Sequence, residues 1–66
     1  MTEEQIEKLA KYLAFLQDRM DMYYDEADED MADYYAVKIE TVRELSVMFK
    51  CRGVVFTKAE KWRSKR

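Results

Sequence analysis

Two long amphipathic segments dominate this sequence, and an acid-rich stretch separates them. Apolar residues recur at steps of three and four, the alternation typical of helices that pack on other helices. In the first segment they are Ile6, Leu9, Leu13, Leu16, Met20, Tyr23 and Ala27, and in the second Met31, Tyr35, Ile39, Val42, Leu45 and Phe49. Because the chain has no Pro and a single Gly, we expect it to be almost entirely helical.

The acid-rich stretch Asp25–Asp30 is predicted to be the turn between these helices. Asp is a weak helix former that favours N-cap positions, and acidic residues in a first turn support the helix dipole. We therefore choose Asp28 as the N-cap of the second helix. The alternative is one uninterrupted helix from residue 3 to about residue 51, on the order of 70 Å long.

Capping signals set the remaining boundaries. Thr2 with Gln5 forms a capping box at the chain start, and Thr57 with Glu60 forms a second one. Gly53 suits the left-handed position that ends a helix, and residues 54–56 fit either a short strand or a packed loop. The predicted elements are a helix at about 3–25, an acidic bend at 25–29, a helix at about 29–51 and a short basic helix at about 58–64.

The expected fold is a single all-α domain over residues 1–66: an antiparallel two-helix hairpin with a short C-terminal helix. A chain of 66 residues with one Cys, and hence no internal disulfide, forms only a small core. A hairpin alone would leave Phe15, Met22, Val37 and Met48 in water. A homodimer with a four-helix arrangement would bury them. The alternative is that residues 54–56 and Trp62 cover them within one chain.

Charge is distributed unevenly along the chain. Residues 1–33 carry 11 acidic and 3 basic side chains, a net charge of −8, whereas residues 34–66 carry 3 acidic and 9 basic ones, a net charge of +6. Such asymmetry indicates electrostatic partners or head-to-tail pairing, and its alternative is neutralisation within the chain. The acidic N-terminus and the lack of an apolar run of about 20 residues predict a soluble, intracellular protein that does not enter membranes.

The composition argues against catalysis, cofactors and metal sites. There is no His, and Cys51 therefore has no imidazole base to activate it. A single Gly excludes a phosphate-binding loop. An EF-hand loop that begins at Asp25 or Asp28 meets Ala27 or Ala32 where an oxygen ligand is required. Loose binding of divalent cations by the clustered carboxylates is the remaining alternative.

The carboxylates around the bend are the most distinctive candidate site. A fixed array of them can present negative charge as DNA presents phosphates, and so fill the basic groove of a nucleic-acid-binding protein. Tyr residues, which are enriched at interfaces, flank the array. The alternative is a solvated helix face that keeps the protein soluble. The candidate partner-binding residues are Asp18, Asp21, Tyr24, Asp25, Asp28, Glu29, Asp30 and Tyr34.

The basic C-terminal segment supports a second interpretation, a small DNA-associated regulator. Its aromatic residue could stack on a base while the surrounding cations contact phosphates, or it could cap the core beneath Phe56. The candidate nucleic-acid contacts are Lys58, Lys61, Trp62, Arg63, Lys65 and Arg66. A third interpretation is a purely structural protein that oligomerises.

The segment ADYYAVKIETVRELSVMF, Ala32 to Phe49, resembles the second helix of short helical-hairpin proteins encoded by phages of Gram-positive bacteria. The resemblance covers about residues 28–50. Proteins of that kind often bind a host protein: some inhibit defence nucleases, as anti-CRISPR proteins do, and others modulate a host repressor or polymerase. The resemblance therefore implies an accessory or anti-defence protein in the cytoplasm of a bacterial host, with a target that handles nucleic acid, and it assigns no role to individual residues.

Overall fold

The computed structural model describes residues 1–64, and these residues form three helices and no strand. They are α1 (Glu3–Asp25), α2 (Glu29–Met48) and α3 (Arg52–Ser64). The predicted hairpin of α1 and α2 is confirmed, and the alternative of one continuous rod is wrong. Within the described part of the chain, no helix has the length and apolarity needed to cross a membrane.

Both predicted N-caps of the hairpin are confirmed. At the start of α1, the Thr2 hydroxyl accepts a hydrogen bond from the Gln5 N–H, and the Gln5 side chain accepts one from the Thr2 N–H. At the start of α2, Asp28 Oδ1 accepts a hydrogen bond from the Met31 N–H at 3.2 Å. Each cap satisfies helical N–H groups that have no partner within their helix.

The ends of α1 and α2 share one geometry, although neither uses Gly. Ala27 (φ 58°) and Lys50 (φ 57°) adopt the left-handed conformation directly after the caps. After α1, the N–H groups of Ala27 and Asp28 donate to the carbonyls of Tyr24 and Tyr23 at 3.0 and 2.9 Å. The equivalent pair of bonds follows α2. These are Schellman motifs, which satisfy the last carbonyls of the helix and reverse the chain.

The third helix is longer than predicted. It begins at Arg52 and not at about residue 58, while α2 ends at Met48 and not at about residue 51. Lys50 already completes the turn, so Gly53 lies inside the first turn of α3 with an ordinary negative φ. The capping box predicted at Thr57 is wrong because Thr57 lies in the helix interior.

Burial against α1 explains why residues 54–56 are helical. Val55 and Ala59 lie one turn apart on α3, and both are fully buried. A helix places these two side chains next to each other on one face, one turn apart, whereas an extended strand would hold them about 13 Å apart. The packing therefore overrides the modest β preference of two successive Val residues.

Helix α1 lies at the centre of the packing. Both α2 and α3 pack against it, and they make few contacts with each other. The molecule is thin, with extents of 37, 26 and 14 Å and a radius of gyration of 12.1 Å, against about 10.8 Å for a compact chain of this length. The buried cluster consists of Ala10, Leu13, Ala14, Leu16, Val42, Cys51, Val55 and Ala59.

The buried side of α2 differs from the predicted one near its C-terminus. Leu45 and Phe49 were expected in the core, but both are exposed, and Ser46 is fully buried in their place. Ser46 lies four residues after Val42, about one helical turn, so both side chains face the core. The Ser46 hydroxyl donates to the Val42 carbonyl at 2.8 Å, so its burial leaves no donor unsatisfied.

The fold leaves most of the expected surplus of apolar surface uncovered. Phe15, Val37 and Met48 are exposed, and Met22 is half-buried. Helix α3 packs on α1 and does not cover them, contrary to the alternative that residues 54–56 and Trp62 do so.

Two glycine exchanges test the turn geometry. Ala27→Gly should raise the free energy of unfolding by about 0.5–1 kcal/mol, because a left-handed conformation costs an L-residue about 1–2 kcal/mol and glycine's unfolded-state entropy offsets part of the gain. Gly53→Ala should raise the free energy of unfolding by about 0.5–1 kcal/mol through helix propensity, since no atom outside the neighbouring helix backbone lies within 4 Å of the added Cβ. Urea unfolding followed by circular dichroism measures both. In a continuous helix Ala27→Gly would instead cost about 1 kcal/mol.

Candidate protein-interaction surface

Ion pairs with α3 occupy two of the predicted partner-binding residues. Arg63 Nε lies 3.2 Å from Asp18 Oδ1, and a terminal nitrogen of the same guanidinium bonds Asp21. Asp18 and Asp21 are three residues apart, so they face the same way from α1. One planar guanidinium donates to both carboxylates, a role that suits Arg better than Lys. These two carboxylates therefore serve to attach α3.

Glu7 forms a second attachment between α1 and α3. Trp62 Nε1 donates to Glu7 Oε1 at 2.8 Å, and Lys58 Nζ lies 3.2 Å from Glu7 Oε2. Lys11 Nζ lies 4.6 Å from the centre of the Trp62 ring. The Trp62 hydrogen bond, followed by that of Lys58, lowers the pKa of the Glu7 carboxyl below its ordinary value of 4.5.

Half of the residues that were predicted to contact nucleic acid instead contact α1 of the protein itself. Lys58, Trp62 and Arg63 all face α1 and pair with its acidic residues. Lys61 is exposed, and Lys65 and Arg66 lie outside the described residues. The charge asymmetry of the sequence is thus partly neutralised within the chain.

Five carboxylates at the hairpin turn stay exposed, and together they are called the acidic end here. Within residues 1–64, none of the five forms an ion pair, and Asp28 is set apart from them by its capping role. The sequence prediction omitted two of them, Glu26 and Asp33, although both stand in or beside the acid-rich stretch. The acidic end consists of Asp25, Glu26, Glu29, Asp30 and Asp33.

The helix dipoles divide these carboxylates into two groups. Glu29 and Asp30 lie in the first turn of α2, where negative charge stabilises a helix. Asp25 ends α1 and Glu26 caps it, and no basic residue occupies that last turn. Negative charge at a helix C-terminus is unfavourable, so these two carboxylates weaken the fold that carries them.

The four Tyr residues beside the acidic end have different environments. Tyr23 and Tyr35 are half-buried and stack across the hairpin, with ring centres 5.7 Å apart. Tyr24 and Tyr34 are exposed, and they are the two that the sequence analysis chose as anchors. Lys38 Nζ lies 4.9 Å from the centre of the Tyr34 ring, and Tyr34 is the main cause that raises the pKa of Lys38.

Among residues 1–64, no group of three or more His, Cys, Asp and Glu side chains is arranged to hold a metal ion. Comparison of the chain with protein-family models, with curated proteins and with solved structures gave no match. The surface chemistry of the acidic end is therefore the main guide to function.

Acidification tests the attachment of α3. The lowered pKa of Glu7 means that its contribution to stability is full above about pH 4.5 and is lost as the pH falls through the folded-state pKa. Glu7→Gln should therefore flatten the dependence of Tm on pH between about 6 and about 3. The fluorescence of Trp62, the single Trp, reports whether α3 stays docked.

Glu4→Gln is the matched control for this measurement. Glu4 lies one turn before Glu7, and among residues 1–64 it pairs with Lys8 of the same helix alone, at 3.6 Å. This variant should keep the pH profile of the wild type. Identical profiles for the wild type and Glu7→Gln would show that the carboxylate does not hold α3.

Proposed function

We propose that this protein is a non-catalytic interaction module that binds a host protein through its acidic end. The expected target is a protein that handles nucleic acid, because a basic groove built for phosphates also accommodates clustered carboxylates. Binding would inhibit or modulate that target without chemistry by this chain. Tyr24 and Tyr34 supply the aromatic contacts beside the charges.

The carrying observation is that Asp25 and Glu26 are exposed, unpaired within the described residues, and placed where negative charge opposes the helix dipole. A solvated face that only keeps a protein soluble gains nothing from putting carboxylates at this position. A binding surface does, since stability is commonly traded for function at such sites.

The proposed surface is more compact than the predicted set of partner-binding residues, which extends from Asp18 to Tyr34. Arg63 forms ion pairs with Asp18 and Asp21, so these two carboxylates are not part of the acidic end. The remaining carboxylates surround the turn between α1 and α2, at one end of the hairpin. Such an end is suited to entering a concave basic site. The matching target feature is thus a pocket or a short groove.

The resemblance of residues 32–49 to helical-hairpin proteins of phages supports a bacterial setting for this function. It favours an accessory or anti-defence role, with a CRISPR nuclease, a repressor or a polymerase as the class of target. The exposed apolar side chains of α1 and α2 support a further proposal, a homodimer with a four-helix arrangement.

A gel-shift titration of bare DNA at two salt concentrations separates this function from that of a DNA-associated regulator. The regulator would bind DNA directly through Lys61 and the rest of the basic segment, and raised salt would weaken that binding. The interaction module would change DNA binding only when its target is present. Direct, salt-sensitive binding would favour the regulator.

Two pairs of isosteric exchanges test the acidic end. Asp25→Asn with Glu26→Gln should raise the free energy of unfolding by about 0.3–1 kcal/mol at low ionic strength, because it removes charge that opposes the dipole of α1. The same pair should weaken capture of the target from a lysate of a Gram-positive bacterium by the immobilised protein. It should also flatten the salt dependence of that binding.

Glu29→Gln with Asp30→Asn is the matched pair. It removes the same charge but should lower the free energy of unfolding by about 0.3–1 kcal/mol. Weaker binding by both pairs, with opposite effects on stability, would separate recognition from folding. Undiminished capture by the Asp25 and Glu26 variant would reject the acidic end as the binding surface.

A further inference from the structure

Helix α2 has a second apolar side that nothing in the described chain covers. Its members recur at steps of three and four and lie within an arc of about 80°. This arc is turned about 130° from the buried side of α2. All five residues of this outer stripe are exposed, with Val37 at 67% and Met48 at 72%. The outer stripe consists of Tyr34, Val37, Thr41, Leu45 and Met48.

The Thr41 hydroxyl, at the middle of the outer stripe, is already satisfied within its own helix. The Thr41 hydroxyl donates to the Val37 carbonyl at 3.2 Å. Burial of Thr41 in an interface would therefore leave no donor without a partner, and its methyl group would join the apolar surface. The stripe thus has the chemistry of a helix–helix contact along its whole length.

The thinness of the molecule also indicates a missing layer. Domains bury their apolar faces between two packed layers, whereas this chain is only 14 Å across its shortest extent. Tyr12 and Phe15 of α1 are exposed as well. A stable contact needs roughly 600–800 Å² from each chain, a modest share of the 4825 Å² of this surface.

The charges at the two ends of α2 indicate what covers the outer stripe. The acidic residues Asp30 and Asp33 lie at the N-terminal end of α2, and Lys50 and Arg52 lie just beyond its C-terminal end. Within residues 1–64, none of these four side chains forms an ion pair. A second copy of α2 that runs antiparallel brings each acidic pair beside the other copy's basic pair. A parallel copy would set like charges together at both ends.

We infer that the outer stripe is a two-fold interface on which a second copy of this chain packs, with the two α2 helices antiparallel. The two-fold axis passes near Thr41, at the middle of the stripe. Tyr34 then shares a layer with Met48 of the second copy, and Val37 shares one with Leu45. Such an interface is self-complementary, as two-fold symmetry requires. This inference deepens the homodimer of the proposed function, and the interface shares Asp30, Asp33 and Tyr34 with the proposed target-binding surface.

Two variants test the outer stripe: one places a negative charge on the stripe, and the other places the same charge beside it. Val37→Glu puts an unpaired carboxylate into each half of the interface and should raise the dimer Kd at least about 100-fold. Val47→Glu is the control, because Val47 lies on the same helix, off the stripe, and is 56% exposed. Sedimentation equilibrium from about 5 µM to about 500 µM measures both, within the range where weak dimers dissociate.

We expect the wild type and the Val47→Glu variant to be dimeric and the Val37→Glu variant to be monomeric. A wild type that stays monomeric at the highest concentration overturns the inference and leaves the stripe to a different protein. A Val37→Glu variant that still dimerises overturns the stripe without overturning dimerisation itself. Equal weakening by both variants overturns it as well, since the effect would then be one of charge alone.

Cross-linking tests the antiparallel register in a Cys51→Ala background. A chain with Val37→Cys mixed with a chain with Leu45→Cys should form a disulfide-linked dimer under mild oxidation, because these residues share a layer. Val37→Cys alone should not, since its copies are separated along the axis by eight residues, about 12 Å. Efficient linkage of Val37→Cys to itself would indicate a parallel pair and overturn the register.

Discussion

The fold depends on α1 being buried on two sides at once. Ala10 and Ala14 of α1 are fully covered, and they belong to the same buried cluster as Val55 and Ala59 of α3. Larger residues of α1, such as Leu13 and Leu16, fill the remaining core. Because α2 and α3 scarcely touch each other, neither has another helix to replace α1 as its support. A change that loosens α1 would therefore release both neighbours, and the chain should unfold as one unit.

Polar contacts complete this packing where the core is too small. Glu7 at one level of α1, and Asp18 with Asp21 three turns further along, bind the Trp and the cations of α3. Exposed ion pairs each contribute little, but these groups join two helices that also share a buried apolar seam. These polar contacts also fix the orientation of α3 on α1. Much of the basic segment that was predicted to contact nucleic acid thus stabilises the packing of α3 on α1.

Local signals in the sequence were sufficient for the hairpin and its caps, because Thr2, Asp28 and the apolar spacing act over one or two turns. They were insufficient where long-range packing decides. Lys50 takes the left-handed position that Gly53 was expected to fill, and the start of α3 moves accordingly. Ser46, a polar residue, is buried where Leu45 was expected. The acidic end was predicted in outline, but Arg63 pairs with Asp18 and Asp21 from more than 40 residues away in sequence and so removes these two carboxylates from it.

The proposed dimer and the proposed binding site share residues, and this couples them. In the antiparallel arrangement Asp30 and Asp33 face the second copy, and Tyr34 is packed in the interface, whereas Asp25, Glu26, Glu29 and Tyr24 stay outside. A target that needs only the outer group binds the dimer without disturbing it. A target that needs all five carboxylates binds the monomer alone, and its apparent affinity then falls by the fraction of chains held in dimers. Because linkage is reciprocal, such a target would dissociate the dimer to the same degree, and the protein concentration would set how much of it can act.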